Sequence, residues 1–297
     1  MSSERTPDDA ALPHTAHAAG GHRRKRAGAR RPDRGPGADA PRRSGRGPDR
    51  GAAGAGPPCG DRRQRFPHLM NVYDGLVRYA SGTLEVEPAL ATDWTISDDG
   101  TVYTFTLREG VSFHDGSPFD AEAVVFNFER MLNEDHPYHD TGPFPLSFFF
   151  SAIQSVEATG DMEVTFTLDA PYAPFLSNLA YPTGLIVSPA AVMEHGADFG
   201  RNPSGTGAFT FTEWRSNEAV VVEANPDYWD GAPELQAVVF RPITDANTRV
   251  AEMLAGGIDV MVEVPPVALS EFSGDSFTVH EQAGPHVWFL ILNALEG

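Results

Sequence analysis

A chain of 297 residues is long enough for a substantial core, but its formal charge of −19 averages two unlike parts that meet near residue 66. Residues 1–66 hold 15 Lys or Arg and 7 Asp or Glu, a formal +8, whereas the remaining 231 hold 7 Arg, no Lys and 34 acids, a formal −27. Such an acidic body is poorly attracted to nucleic acid or anionic lipid, no stretch approaches the roughly 20 apolar residues of a membrane span, and a single cysteine excludes an internal disulfide.

The leading segment is mostly Ala, Gly, Arg, Pro and Asp, with almost no Ile, Val, Leu or Phe. It cannot bury enough apolar surface to offset its ordering entropy, so residues 1–66 are predicted to be a disordered tail, or a stretch that is not authentic coding sequence. The basic run His22-Arg23-Arg24-Lys25-Arg26 has no aromatic interleaved with the arginines before Phe66, which removes the stacking half of a single-strand binding signal; no nucleic-acid partner is expected. No apolar run of roughly 7–15 residues marks a secretory signal here, and Cys59 in Gly-Pro-Pro-Cys has no apolar stretch before it, unlike a lipid-attachment site.

Beyond Val72 short β-type runs alternate with turns. Trp94–Ile96 leads through Ser97-Asp98-Asp99-Gly100 into Val102–Leu107, where Tyr103, Phe105 and Leu107 share one face of a hairpin. Asp120 is placed to cap a helix whose Val124, Phe128, Met131 and Leu132 fall on one stripe. A second hairpin is predicted at Ile153–Ala158 and Val164–Leu168, and a third at Phe209–Trp214 and Ala219–Glu223. Asp245 caps another helix with Ala246, Val250, Met253 and Leu254 as its core stripe and Gly256 as its stop. Shorter helical pieces are expected at Ala173–Leu179, Pro189–His195 and Pro266–Phe272, and the chain closes on a strand-like run, Trp288–Asn293. Hairpins mixed with helices, without βαβ alternation, predict an α/β (mixed α+β) protein.

The catalytic inventory is thin. Ser204-Gly205-Thr206-Gly207 lacks the Lys-Ser/Thr of a phosphate loop and is not a Gly-x-Ser-x-Gly elbow. His136 and His139 lie three apart, but Pro137 interrupts regular helix and no Glu or Cys completes a ligand set, so no metal is assigned. His114-Asp115 sits in a turn, where a structural role is favoured. No catalytic residue and no cofactor is assigned. What stands out is aromatics and glycines at turns, namely Tyr73, Tyr138, Gly205-Thr206-Gly207, Tyr228-Trp229 and Trp288, which suit a binding cleft; for Tyr228-Trp229 and Trp94 a core role is preferred.

Tyr73, Gly205-Thr206-Gly207 and Tyr228-Trp229 fall within phrases that carry a resemblance. They are Val72-Tyr73-Asp74-Gly75-Leu76-Val77, Pro88-Ala89-Leu90-Ala91-Thr92-Asp93-Trp94, Leu107-Arg108-Glu109-Gly110-Val111-Ser112-Phe113-His114-Asp115-Gly116, Pro118-Phe119-Asp120-Ala121-Glu122-Ala123-Val124, Pro203-Ser204-Gly205-Thr206-Gly207-Ala208-Phe209, Asn225-Pro226-Asp227-Tyr228-Trp229 and Gly257-Ile258-Asp259-Val260. In that order they resemble the peptide/nickel class of ABC-importer solute-binding proteins, family 5, from Val72 to the end of the chain.

The resemblance implies a periplasmic-binding-protein-like type II lobe with an inserted small domain and the second lobe missing. Residues 67–297 would be a partial solute-binding domain, with the insertion at about 86–180, the first lobe at about 67–85 and 181–285, and a crossover toward the second lobe at 286–297. It implies a monomeric, extracytoplasmic protein that binds a small peptide and delivers it to membrane permease subunits, without catalysis. Tyr73, Tyr138, His139, Gly205 and Trp288 are the expected ligand-facing residues. The acidic group that meets a peptide's α-amino end in the family lies beyond the matched half. Nickel-binding members carry an Arg and a Trp in the loop that here reads Asp135–His139, which is closer to the peptide binders. Another small solute, such as a metal chelate or a sugar, and an inactive fragment or frameshifted product remain as alternatives, with a peptide hydrolase disfavoured for lack of a nucleophile–base pair.

Overall fold

The alternation in Val102–Leu107 sits at the heart of the larger sheet. The computed structural model describes residues 66–142 and 144–281, with the side chains of 66–68 left aside. The basic leading segment through residue 65, and the Trp288–Asn293 run with the candidate Trp288, lie outside the described residues. In chain order the helices are α1 (Phe66–Val72), α2 (Ala121–Leu132), α3 (Phe175–Leu179), α4 (Pro189–His195) and α5 (Ala246–Leu254). The strands are β1 (Val77–Tyr79), β2 (Val86–Pro88), β3 (Ala91–Ile96), β4 (Val102–Leu107), β5 (Ile153–Gly160), β6 (Glu163–Leu168), β7 (Phe209–Arg215), β8 (Ala219–Ala224) and β9 (Ala237–Phe240).

β3 to β6 form an antiparallel sheet in the order β3-β4-β6-β5, with Phe105 opposite Val164 and Tyr103 opposite Phe166. This register puts Tyr103, Phe105 and Leu107 with Val164, Phe166 and Leu168 in one buried layer. α2 covers that layer. The Asp120 carboxylate accepts the Ala123 backbone N–H at 2.9 Å, and Val124 and Phe128 enter the core at 0% and 2% exposure. The Phe128 ring meets Phe166 and Phe150 edge-on, with centroids 4.9 and 5.3 Å apart.

α2 has a second buried face that hydrophobic periodicity does not reveal. Ala123, Asn127 and Arg130 follow one another along it, all buried. The Asn127 amide donates to the Ala123 and Val187 carbonyls, both at 2.8 Å, and accepts the Val187 N–H at 3.0 Å, so its polar group is satisfied. A second core of Val72, Tyr73, Val192, Phe199 and Phe209 forms with Val220 and Val222 of the sheet β7-β8-β9.

The three expected hairpins are present, the first with its leading strand starting three residues early at Ala91 and the others within two residues of their bounds. The short pair β1–β2 and strand β9 were not foreseen, being three, three and four residues long. Pro266–Phe272 is a 3-10 helix, its N-terminus fixed by consecutive prolines. Asp245 caps α5 through Thr248 N–H at 2.8 Å, and Gly256 at φ +71° follows its end. Its expected core stripe is covered only in part, with Val250 buried but Leu254 44% exposed.

Each of the seven arginines after residue 66 is engaged. Arg78 pairs with Glu87 and Asp230, Arg215 with Glu213 and Arg241 with Glu252. Arg108 lies over the Trp229 ring and Arg201 over the Trp214 ring. Arg249 donates to the Ile243 and Thr244 carbonyls, and Arg130 to the Thr141 hydroxyl.

Candidate functional site

Two linked clusters carry the candidate residues. The first is a junction of three segments around Asp74. Its carboxylate accepts Thr206 Oγ1 at 2.9 Å, Trp229 Nε1 at 2.9 Å and Tyr228 OH at 3.2 Å. Burial pushes the Asp74 carboxyl above the usual aspartate value, against the pull of these three donors. Arg78 and Arg108 lie over the same Trp229 ring, 5.7 and 4.4 Å from its centroid. The expected core role of Trp229 is therefore only part of its work, since it is half-buried and also donates to Asp74.

The glycines of Ser204–Gly207 allow the close approach. A Cβ at Gly205 would run into the Val72 carbonyl and the Tyr73 ring, and one at Gly207 into the Asn71 carbonyl. Gly207 N–H donates to Val72 O at 3.0 Å, and His114 N–H to Gly205 O at 2.8 Å. The His114 ring bridges the loop. Nε2 must carry its proton, because it meets the Gly207 carbonyl at 2.9 Å, and Nδ1 accepts Gly205 N–H at 3.4 Å.

That geometry fits only neutral imidazole, and burial holds the His114 pKa below the ordinary value. A base with a depressed folded pKa contributes stability that is full above the unfolded value of about 6.5 and lost as pH falls below it. The urea midpoint should therefore drop between about pH 7.5 and about pH 5.5, and the drop should shrink in His114→Asn. Asp74 titrates with the opposite sign, so the difference between the two proteins isolates the imidazole. Equal slopes would remove His114 from the account.

The second cluster surrounds Arg130, 6% exposed. Its NH1 donates to Thr141 Oγ1 at 2.8 Å, its Nε has no partner, and the Phe144 and Phe199 rings lie 5.1 and 5.9 Å from the guanidinium carbon. Burial lowers its pKa to about 10, which leaves it charged at neutral pH. The buried Tyr73 phenol is pushed up by burial, with Arg130 pulling the other way.

Tyr73 and Gly205 are thus in direct apposition, both buried, and they shape the junction without presenting open surface. Tyr138 is half-buried beside Phe126, at 5.9 Å between centroids. His139 joins the Arg130 cluster through Nδ1 and the Arg130 carbonyl at 2.9 Å, and it lines an open hollow of about 420 Å³. Sequence reasoning passed over Asp74, Arg130 and Phe144. Asp74 stood inside the Tyr-Asp-Gly-Leu phrase, and Arg130 continues the Ala123–Asn127 spacing. Among the described residues no three His, Cys, Asp or Glu converge as a metal site, and no helix is long and apolar enough to cross a membrane.

A hairpin-rich mixed α/β body with helices packed on antiparallel sheets is the architecture of a lobe of a type II periplasmic-binding-protein-like fold. In the solved dipeptide-binding protein from Pseudoalteromonas sp. in complex with Met-Leu, the similarity covers 70% of this chain and 44% of that one, at 30% identity and a TM-score of 0.64. Residues 85–296 match the family of bacterial extracellular solute-binding proteins, family 5, in its middle region, and the chain belongs to that family. It is 36% identical over 229 residues to a di/tripeptide-binding protein 2 of Pseudomonas aeruginosa, covering 71% of this chain and 43% of that protein. It is 33% identical over 239 residues to the dipeptide-binding protein of Escherichia coli, covering 75% of this chain and 45% of that one. The chain thus spans less than half the length of these relatives.

Proposed function

We propose that this chain supplies the first-lobe wall of a peptide-receiving cleft in a solute-binding protein that serves an ABC importer outside the cytoplasm, and that it catalyses no reaction. The observation that carries the reading is the family match to peptide-binding relatives, joined to a junction built from the phrases that match. In this reading residues 86–180 are the inserted subdomain, and 67–85 with the described residues from 181 onward belong to the first lobe. Tyr73 and Gly205 shape the cleft floor, while Tyr138 and His139 face the ligand. The monomer hands its peptide to permease subunits of the membrane.

A hinged binder gains affinity by enclosing its ligand between two walls. One wall leaves most of the ligand wet, and loss of even one buried charged contact weakens binding by about 2–5 kcal/mol, or about 30-fold to several thousandfold. Calorimetric titration of the 297-residue chain with di- to pentapeptides should accordingly give binding weaker than about micromolar. A chimera in which residues 85–281 replace the matching stretch of the Escherichia coli dipeptide-binding protein should recover tight peptide binding. A folded chimera that takes no peptide sinks the reading, and micromolar binding by the chain alone would place the whole recognition site in one lobe.

A further inference from the structure

The hollow at the end of α2 has a mixed lining, with Met131, Leu132, Phe144 and Phe148 beside Glu134, His139, Ser147 and Ser151, and its polar surface slightly exceeds its apolar surface. The Arg130 carbonyl can only accept, so the proton of the His139 ring sits on Nδ1 and Nε2 is left as a bare acceptor. Among the described residues no bond is made to that Nε2. The Glu134 carboxylate is also an acceptor, so the hollow favours a ligand group that donates.

Its roof is held in an unusual conformation. Phe144 has φ +36°, a left-handed backbone that a bulky residue adopts only when packing enforces it. Gly142 makes room for the ring, since a Cβ there would meet it at 2.8 Å. The ring is fixed between His139, at 5.5 Å between centroids, and the Arg130 guanidinium. Phe148 stands 60% exposed beside the fully buried Phe150. The Phe144 and Phe148 rings favour a ring, and the Glu134 carboxylate and His139 Nε2 favour a hydrogen-bond donor at its tip.

We propose that this hollow is a side-chain specificity pocket that takes an aromatic group tipped by a hydrogen-bond donor, the tyrosine side chain being the type. The donor meets His139 Nε2, while Phe144 and Phe148 flank the ring. The assignment to a peptide side chain rests on the peptide-binding reading, but the pocket can be probed without a peptide. The test uses the full chain with 13C-methyl methionine, the Met131 signal assigned from Met131→Leu, titrated with p-cresol and with toluene. Both probes should shift Met131. The affinity ratio of p-cresol to toluene should fall in His139→Phe by about threefold to tenfold, the worth of one hydrogen bond. Phe148→Ala, at an exposed position that the fold does not need, should weaken both probes. An unmoved Met131 signal, or a ratio unchanged in a folded His139→Phe, overturns the proposal. A His139-dependent preference, found alongside a chimera that binds no peptide, upholds the pocket and overturns only the peptide reading.

Discussion

Replacing Phe128 by Ala should lower the unfolding free energy by about 3–5 kcal/mol, the range for truncating a large aromatic in a packed core. The ring is 2% exposed and wedged edge-on against Phe166 of β6 and Phe150 of the 3-10 helix Ser147–Phe150 before β5. Those neighbours belong to separate segments, Phe166 held by the sheet register and Phe150 by its 3-10 helix, so they cannot collapse together into the space left behind. Urea unfolding followed by circular dichroism is the measurement. A loss under about 1 kcal/mol would mean that α2 does not seat its Val124–Phe128 face on the sheet.

Asp74→Ala should be nearly as damaging, at about 2–4 kcal/mol, because it orphans three donors at once. Thr206 is 1% exposed and cannot turn to water, whereas Tyr228 and Trp229 are half-buried and recover part of the loss. Asp74→Asn keeps the shape and an acceptor oxygen, so it should fall between the two. The variants also separate by pH. A carboxyl whose folded pKa is raised contributes most below the ordinary value of about 3.9, and that contribution is lost as pH rises through the raised pKa. Asp74→Asn should remove this fall with rising pH. If Asp74→Ala unfolds at the same urea concentration as the parent chain, the three segments are not fastened through this carboxylate.

The elements that sequence made legible are those whose signal is local. Asp120 before the Val124–Phe128 stripe and the Tyr103–Phe105–Leu107 alternation each contain their own geometry, and both appear in the structure as expected. The family phrases extended this to long range, because they place Tyr73 and Gly205 in one fold without saying how they meet. What stayed hidden depends on contacts between distant segments. Arg130 looks like a solvated helix residue until Thr141, Phe144 and Phe199 close over it. Phe144 gives no sign of its left-handed backbone, which follows from the room at Gly142 and the ring packing around it. Asp74 reads as a turn residue, yet its partners lie 132 to 155 positions away.

The charge balance after residue 66 has a kinetic consequence. With 34 acids against seven arginines, no lysine, and Arg78, Arg215 and Arg241 already paired with carboxylates, the far field of the body is set by its acids. Field lines of one sign draw protonated solutes inward and slow the arrival of anionic ones, an effect on encounter rate that acts before any contact forms. Its reach is the Debye length, about 8 Å at physiological ionic strength and about 30 Å in dilute buffer. The surrounding salt, as much as the pocket, therefore sets which solutes reach this surface first.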